Sequence, residues 1–217
     1  MSKNGTAVAP ANRIADIEKK VEIPALRLNT LKVRLVGDSP LICHAWSEKA
    51  KRQMLDKQMK KAKQAKAAKD PVEDYADSLY WLSERPARLT EASIAAGKFG
   101  FRVVAFKSAA VDACSHVAEM TKVEARGAFH INGEFVEIEG KPKMREDMVR
   151  IAMGTADIRY RGEFDPWAVT LAIRYNVNVM SAEQIVNLLN VAGFAIGAGE
   201  WRPQRDGSYG MWHVEAK

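Results

Sequence analysis

The stretch Ser181–Trp212, SAEQIVNLLNVAGFAIGAGEWRPQRDGSYGMW, decides how the rest of the chain is read. Ser181 with Gln184 three residues on has the form of a capping box, and Ile185, Leu188, Leu189 and Ala192 follow at helical spacing. That spacing predicts a helix with one apolar face, running to about Gly193. Beyond it, Gly197, Gly199, Gly207 and Gly210 punctuate a loop that also holds Trp201, Arg202, Arg205 and Tyr209. Glycines lack a Cβ and let another backbone come close, arginines carry fixed charge suited to phosphate, and Trp or Tyr faces stack on bases. The same residues also fit a plain helix-to-strand turn with surface arginines, and the remaining chain has to tip that balance.

Working outward, Trp167–Tyr175 (WAVTLAIRY) and Leu31–Val36 (LKVRLV) alternate apolar with other residues, which predicts half-buried strands. Gly210–Val214 reads as a last strand, and Met148–Arg161 as a strand with a break or bulge near Gly154. Small apolar residues from Val104 to Thr121 predict a buried helix, with His116 as one of its core residues. Asn132-Gly133 inside FHINGEFVEI (Phe129–Ile138) predicts a β-hairpin. Leaving out that hairpin, the order is strand, helix, strand, strand, helix, strand. This predicts an α+β fold: a ferredoxin-like (RRM-like) βαββαβ antiparallel sheet with an extra β-hairpin and a helical insertion about 40–100 after strand 1. The RRM's aromatic RNP motifs are absent. Residues 1–24 are expected to be a flexible N-terminal arm, and 25–217 a single domain.

At 217 residues, with 47% hydrophobic residues, the chain can bury one sizeable core. No apolar run is long enough to span a bilayer, and the N-terminus lacks an apolar signal-peptide core, so a cytoplasmic location and no membrane partner are expected. Cys43 and Cys114 are far apart and read as reduced thiols. The net charge of +6 and pI near 9.3 allow a polyanionic partner. The charge is concentrated. Ser47–Lys69, a long helix candidate, sets Lys49, Lys51, Arg52, Lys57, Lys60, Lys61, Lys63, Lys66 and Lys69 against Glu48 and Asp56 alone. Such a run either contacts phosphates or forms a solvated face, and Asp70, Glu73, Asp74 and Asp77 just after it offer intramolecular partners. A short helix is expected around Tyr75–Leu82. Arg159 and Arg161 share one face of a strand, and with Arg34 and Arg174 they are expected on the open face of the sheet, or simply on its solvent side.

Gly197-Ala198-Gly199 and Gly207-Ser208-Tyr209-Gly210, set between the second helix and the last strand, resemble the Gly-rich loop of the RAMP superfamily. These are the RRM-like proteins of CRISPR complexes that bind or cut guide RNA. The insertion and the extra hairpin resemble elements of the backbone-type subunits, which polymerise along RNA. The resemblance implies a non-catalytic protein that binds single-stranded RNA or DNA through a basic groove and the loop, assembling along it as a homo-oligomer or filament. The chain also has the character of small phage-encoded proteins, for which single-stranded DNA is as natural a ligand as RNA. Two alternatives stay open. His44 falls near the place where RAMP endoribonucleases carry a catalytic histidine, so it is a candidate general base with Lys49 or Arg202 stabilising charge. A phage structural or adaptor protein is the other. The sequence holds no phosphate-binding GxxxxGK[ST], HExxH, nucleophile elbow or metal-spaced carboxylates, so no enzyme activity, cofactor or metal is expected.

If the basic run contacts phosphates, replacing Lys57, Lys60, Lys61 and Lys63 together by Gln weakens binding to every nucleic-acid sequence and flattens the salt slope by up to about four units. An unchanged slope assigns these lysines to solvent.

Overall fold

The computed structural model describes residues 23–61, 68–118, 120–151 and 154–216. Lys63 and all but the end of the expected N-terminal arm lie outside them. The protein is α+β, with two antiparallel sheets. The larger is ordered β10 (Trp212–Val214), β1 (Leu28–Gly37), β9 (Ala168–Asn176), β6 (Phe135–Glu139), β4 (Phe99–Arg102) and β3 (Tyr80–Trp81), and β5 (Phe129–Ile131) also pairs with β9. The smaller sheet is β2 (Leu41–Cys43), β8 (Thr155–Phe164) and β7 (Pro142–Ile151).

Alternation along β1 and β9 builds the core. Val33 and Leu35 are buried with Val169, Leu171, Ile173 and Tyr175, while Lys32, Thr170 and Arg174 stand exposed on the opposite face. Two helices, α4 (Val103–Ala113) and α6 (Ala182–Ala195), supply the other half of the core. The capping box of Ser181 and Gln184 forms, and α6 buries Ile185, Leu188, Leu189, Ala192 and Gly193. Gly193 is required by packing: a Cβ there would lie 2.0 Å from the Trp212 carbonyl oxygen. Trp212 stands edge-on to Phe106 with ring centroids 5.4 Å apart, and its indole N–H donates to the Leu189 carbonyl at 3.1 Å. Cys43 and Cys114 are free and buried, and burial pushes the Cys43 thiol well above its ordinary pKa. No described helix is long and apolar enough to cross a membrane.

Several local expectations are corrected. β5 and β6 do not form a hairpin. Both run along β9, β5 against Ile173–Tyr175 and β6 against Ala168 and Val169, and the Asn132 N–H donates to Ala172 between them. Gly133, at φ 89°, sits in the resulting bulge. An Asn-Gly pair suits a bulge as well as a turn, and β9 offered more ladder bonds than an isolated hairpin. The real hairpin is 142–164, and it takes in the stretch Met148–Arg161 expected as one broken strand: β7 and β8 pair from Pro142↔Phe164 to Ile151↔Thr155, with Gly154 at φ 80° in the turn. The insertion holds α1 (Glu48–Gln58), α2 (Pro71–Asp77) and α3 (Glu91–Ala95), but it also contributes β2, β3 and β4 to the sheets. The helix expected around Tyr75–Leu82 is α2, which ends before β3. The buried helix expected over 104–121 stops at Ala113, where the chain passes through a 3-10 turn, Cys114–His116, to an extended Val117, and a capping box of Thr121 and Glu124 then starts a separate α5 (Lys122–Ala128). His116, in the short turn between them, is exposed.

Trp212→Ala removes a fully buried ring that joins α4, α6 and β10. It should cost about 3–5 kcal/mol, read as a lowered midpoint in urea unfolding.

Candidate nucleic-acid interface

The loop after α6 is a folded unit. Its Ala198 N–H donates to Gly210, its Tyr209 N–H to Trp201 and its Gln204 N–H to Ile196. Two bonds dock it on the start of the insertion, from Glu200 N–H to the Ile42 carbonyl (3.1 Å) and from Gly210 N–H to the Pro40 carbonyl (2.8 Å). Gly199 has φ 76°, and a Cβ there would meet the Ile42 oxygen at 2.4 Å. At Gly207 the Trp201 carbonyl oxygen would lie 1.7 Å away. The close approach these glycines permit is therefore to the chain's own backbone. It holds Trp201 at φ 54°, a conformation that costs a bulky residue roughly 1–2 kcal/mol, with the indole 42% exposed.

Beside the docked loop, the chain leaves β2 at Cys43 and diverges from β8. Ala45 N–H donates to Ser78, and Ser47 caps α1 by accepting from the Ala50 N–H. His44 Nδ1 lies 3.0 Å from Glu200 Oε1. This contact brings two exposed indoles, Trp46 (57%) and Trp201, to the same end of β2. Between the diverging segment, Lys69, α2 and β8 lies a cleft of about 210 Å³. On its β8 wall Arg159 Nε donates to Asp157 at 2.7 Å, and Lys69 Nζ bonds the other oxygen of that carboxylate at 2.8 Å. Deeper, Arg161 (6% exposed) and Arg145 share the Asp147 carboxylate at 3.1 and 2.8 Å, and Arg145 also holds Glu163 and lies 4.7 Å from the Tyr209 ring centre. The Arg161 Nε is buried with no partner among the described residues. The hydrogen bond with His44 holds the Glu200 carboxyl below its ordinary range against the opposing effect of burial, and the charges of His44, Arg161 and Arg202 add to it.

The predicted residues divide into separate groups. Arg159 and Arg161 do share a face, but on the smaller sheet. Arg34 and Arg174 are on the open face of the larger one, where Arg34 is clamped between Glu139 (2.8 Å) and Glu215 (2.5 Å). Lys32, Arg102 and Arg174 stand there as well, and Glu137 pairs with Lys98 at 3.3 Å, so that face keeps a modest positive excess. Arg202 is turned back onto the Gly199 carbonyl (3.0 Å) and Gln204, while Arg205 is exposed. Helix α1 buries no residue. Lys57 and Lys60 are exposed and Lys61 pairs with Asp56 at 3.0 Å. Among the described residues no lysine of α1 pairs with the acidic stretch: Asp70 caps α2 and Asp77 pairs with Arg85. The sequence pointed to neither Trp46 nor Glu200 as site residues, and offered Asp74 only as a partner for the lysine run. Trp46 had a readable sign, a bulky aromatic among polar residues just past a strand; the other two gain meaning only from their neighbours in space.

No protein-family model matches the chain, and no curated protein matches its sequence. Among solved structures it is similar to Cmr6 from Pyrococcus furiosus, over 88% of this chain and 100% of that one, at 10% identity and a TM-score of 0.38. The two are distant in sequence and in fold.

The docking of the loop can be tested by mutation and by pH. Gly199→Ala brings a Cβ against Ile42 at a strained φ, and should lower the melting temperature and open the loop to proteolysis. Glu200 has a folded pKa below its unfolded one, so its stabilisation is present at neutral pH and is lost as pH falls through the folded value. The stability gap between wild type and Glu200→Gln should therefore be full at neutral pH and close only as pH falls below the ordinary carboxylate range.

Proposed function

We propose that this chain is a non-catalytic single-stranded nucleic-acid-binding protein whose ligand runs past Trp46 and Trp201 along the cleft beside β8. The observation that carries the reading is the pair of exposed indoles held at one end of β2, next to the cations Lys69 and Arg159 of the cleft. Exposed aromatics offer stacking that tolerates any base, and neighbouring cations offer phosphate contacts; single-stranded binders combine the two. Keeping Trp201 at a positive φ costs the fold free energy, which favours a role for that indole outside the fold. The α1 lysines, exposed on a helix that buries nothing, extend the basic surface away from the cleft.

The finer fold reading belongs with this proposal. Counting β5 and β6 as one strand position, the order β10-β1-β9-β5/β6 with α4 and α6 on one face supports a split βαβ arrangement like that of ferredoxin-like proteins, although the stretch 148–161 expected as its second strand pairs in the smaller sheet. In that frame the glycine loop lies between the second helix and the last strand, the layout in which the chain resembles RAMP proteins. Assembly of further copies along the strand is part of the same reading. The endoribonuclease reading is supported by one contact, the 3.0 Å approach of His44 to Glu200, in which a carboxylate orients an imidazole.

Trp46→Ala and Trp201→Gly should each weaken binding to a single-stranded oligonucleotide roughly 5- to 150-fold, the worth of one stacked base. Trp46→Ala should leave the melting temperature unchanged, and Trp201→Gly should hold or raise it by relieving the positive φ. Unaltered affinity in both variants sinks the proposal. Metal-independent cleavage of RNA that disappears in His44→Ala replaces it with the nuclease.

A further inference from the structure

We infer that the cleft beside β8 seats one unpaired base and selects for an exocyclic amino group, favouring cytosine or adenine over thymine or uracil. The inference rests on the nucleic-acid reading and deepens it. β2 ends at the pair Cys43↔Gly162, so the edge of β8 from Asp157 to Arg161 has no neighbouring strand. Alternate residues of β8 turn their backbone groups toward that edge: the Gly162 N–H donates to Ser78 Oγ at 2.8 Å, and Lys69 Nζ bonds the Ile158 carbonyl. Tyr160 lies midway between, so by the same alternation its amide and carbonyl turn toward that edge, where no strand pairs with it. An adjacent donor and acceptor match the Watson–Crick edge of a base.

The other walls choose which base. The cleft's 210 Å³ is below the roughly 300–1,000 Å³ of drug-sized pockets, on the scale of one heterocycle. Trp46 borders it and offers a face for stacking. Of its carboxylates, Asp157 is held by Lys69 and Arg159 and Asp77 by Arg85; Asp74 is in no ion pair among the described residues. An ionised carboxylate only accepts hydrogen bonds, so Asp74 favours an N4 or N6 amino group and repels the O4 of thymine or uracil. Arg161 also lines the cleft, but its unpartnered Nε is buried, so the nucleotide's phosphate is left to the more exposed Lys69 and Arg159. An acid in the first turn of α2 also suits the helix dipole, but that does not account for the open edge of Tyr160.

The test compares affinities for oligo(dC), oligo(dT), oligo(rC) and oligo(rU) of about 12 nucleotides at one salt concentration. Wild type should bind the cytosine homopolymers at least about five-fold more tightly. In Asp74→Asn, whose amide both donates and accepts, the ratio should fall to within about two-fold, and in Asp74→Ala likewise. The ratio is internal to each preparation, so a change in folded fraction cancels. Equal wild-type affinities, or an unchanged ratio in both variants, overturn the base seat while leaving the nucleic-acid reading standing. Binding to none of the four overturns that reading and the seat with it.

Discussion

Where Gly199 passes the carbonyl of Ile42, the loop after α6 is bound to the strand that opens the smaller sheet, and the organisation of that end of the molecule depends on the contact. A side chain at Gly199 would collide with the Ile42 oxygen, and the next residue's N–H donates to that same oxygen. One short stretch of backbone thus ties a loop of the α6–β10 connection to β2. The tie places Glu200 against His44 and, one residue on, turns Trp201 outward at a positive φ. Without it the indoles of Trp46 and Trp201 would belong to unconnected parts of the surface.

Behind the cleft the charges are largely spent on one another. Arg145 and Arg161 divide Asp147 between them, and Lys69 and Arg159 divide Asp157. Pairs this close gain from the reduced dielectric only when their remaining donors are also satisfied. Arg145 meets that condition through Glu163 and Tyr209, and Arg161 does not. The network holds β7 and β8 to the loop and leaves the Arg161 Nε buried without a partner among the described residues. Net charge is therefore a poor guide to this surface. The basic run that dominates the sequence lies on α1, off the core, whereas the cleft owes its character to a few cations and carboxylates brought together from three distant segments.

The sequence by itself determined the elements whose residues satisfy local rules. The capping box at Ser181, the apolar face of α6 and the alternation of β1 and β9 need only their own neighbours to be recognised, and all are present as expected. The division into a helix-backed antiparallel sheet with a glycine loop before the last strand was legible for the same reason. Partner choice was not. Asn132-Gly133 permits a bend in the chain, but only the long free edge of β9 decided that the bend is a bulge. Likewise Arg159 and Arg161 were readable as one face of a strand, yet which sheet that strand joins depended on β2 stopping at Cys43 and on β7 returning to pair with it. The cleft is the extreme case: Trp46, Asp74, Tyr160 and Arg161 are ordinary residues at unrelated positions. Only the long-range hydrogen bonds of the folded chain give them a common neighbourhood, because those bonds are set by the geometry of whole strands and by no local pattern.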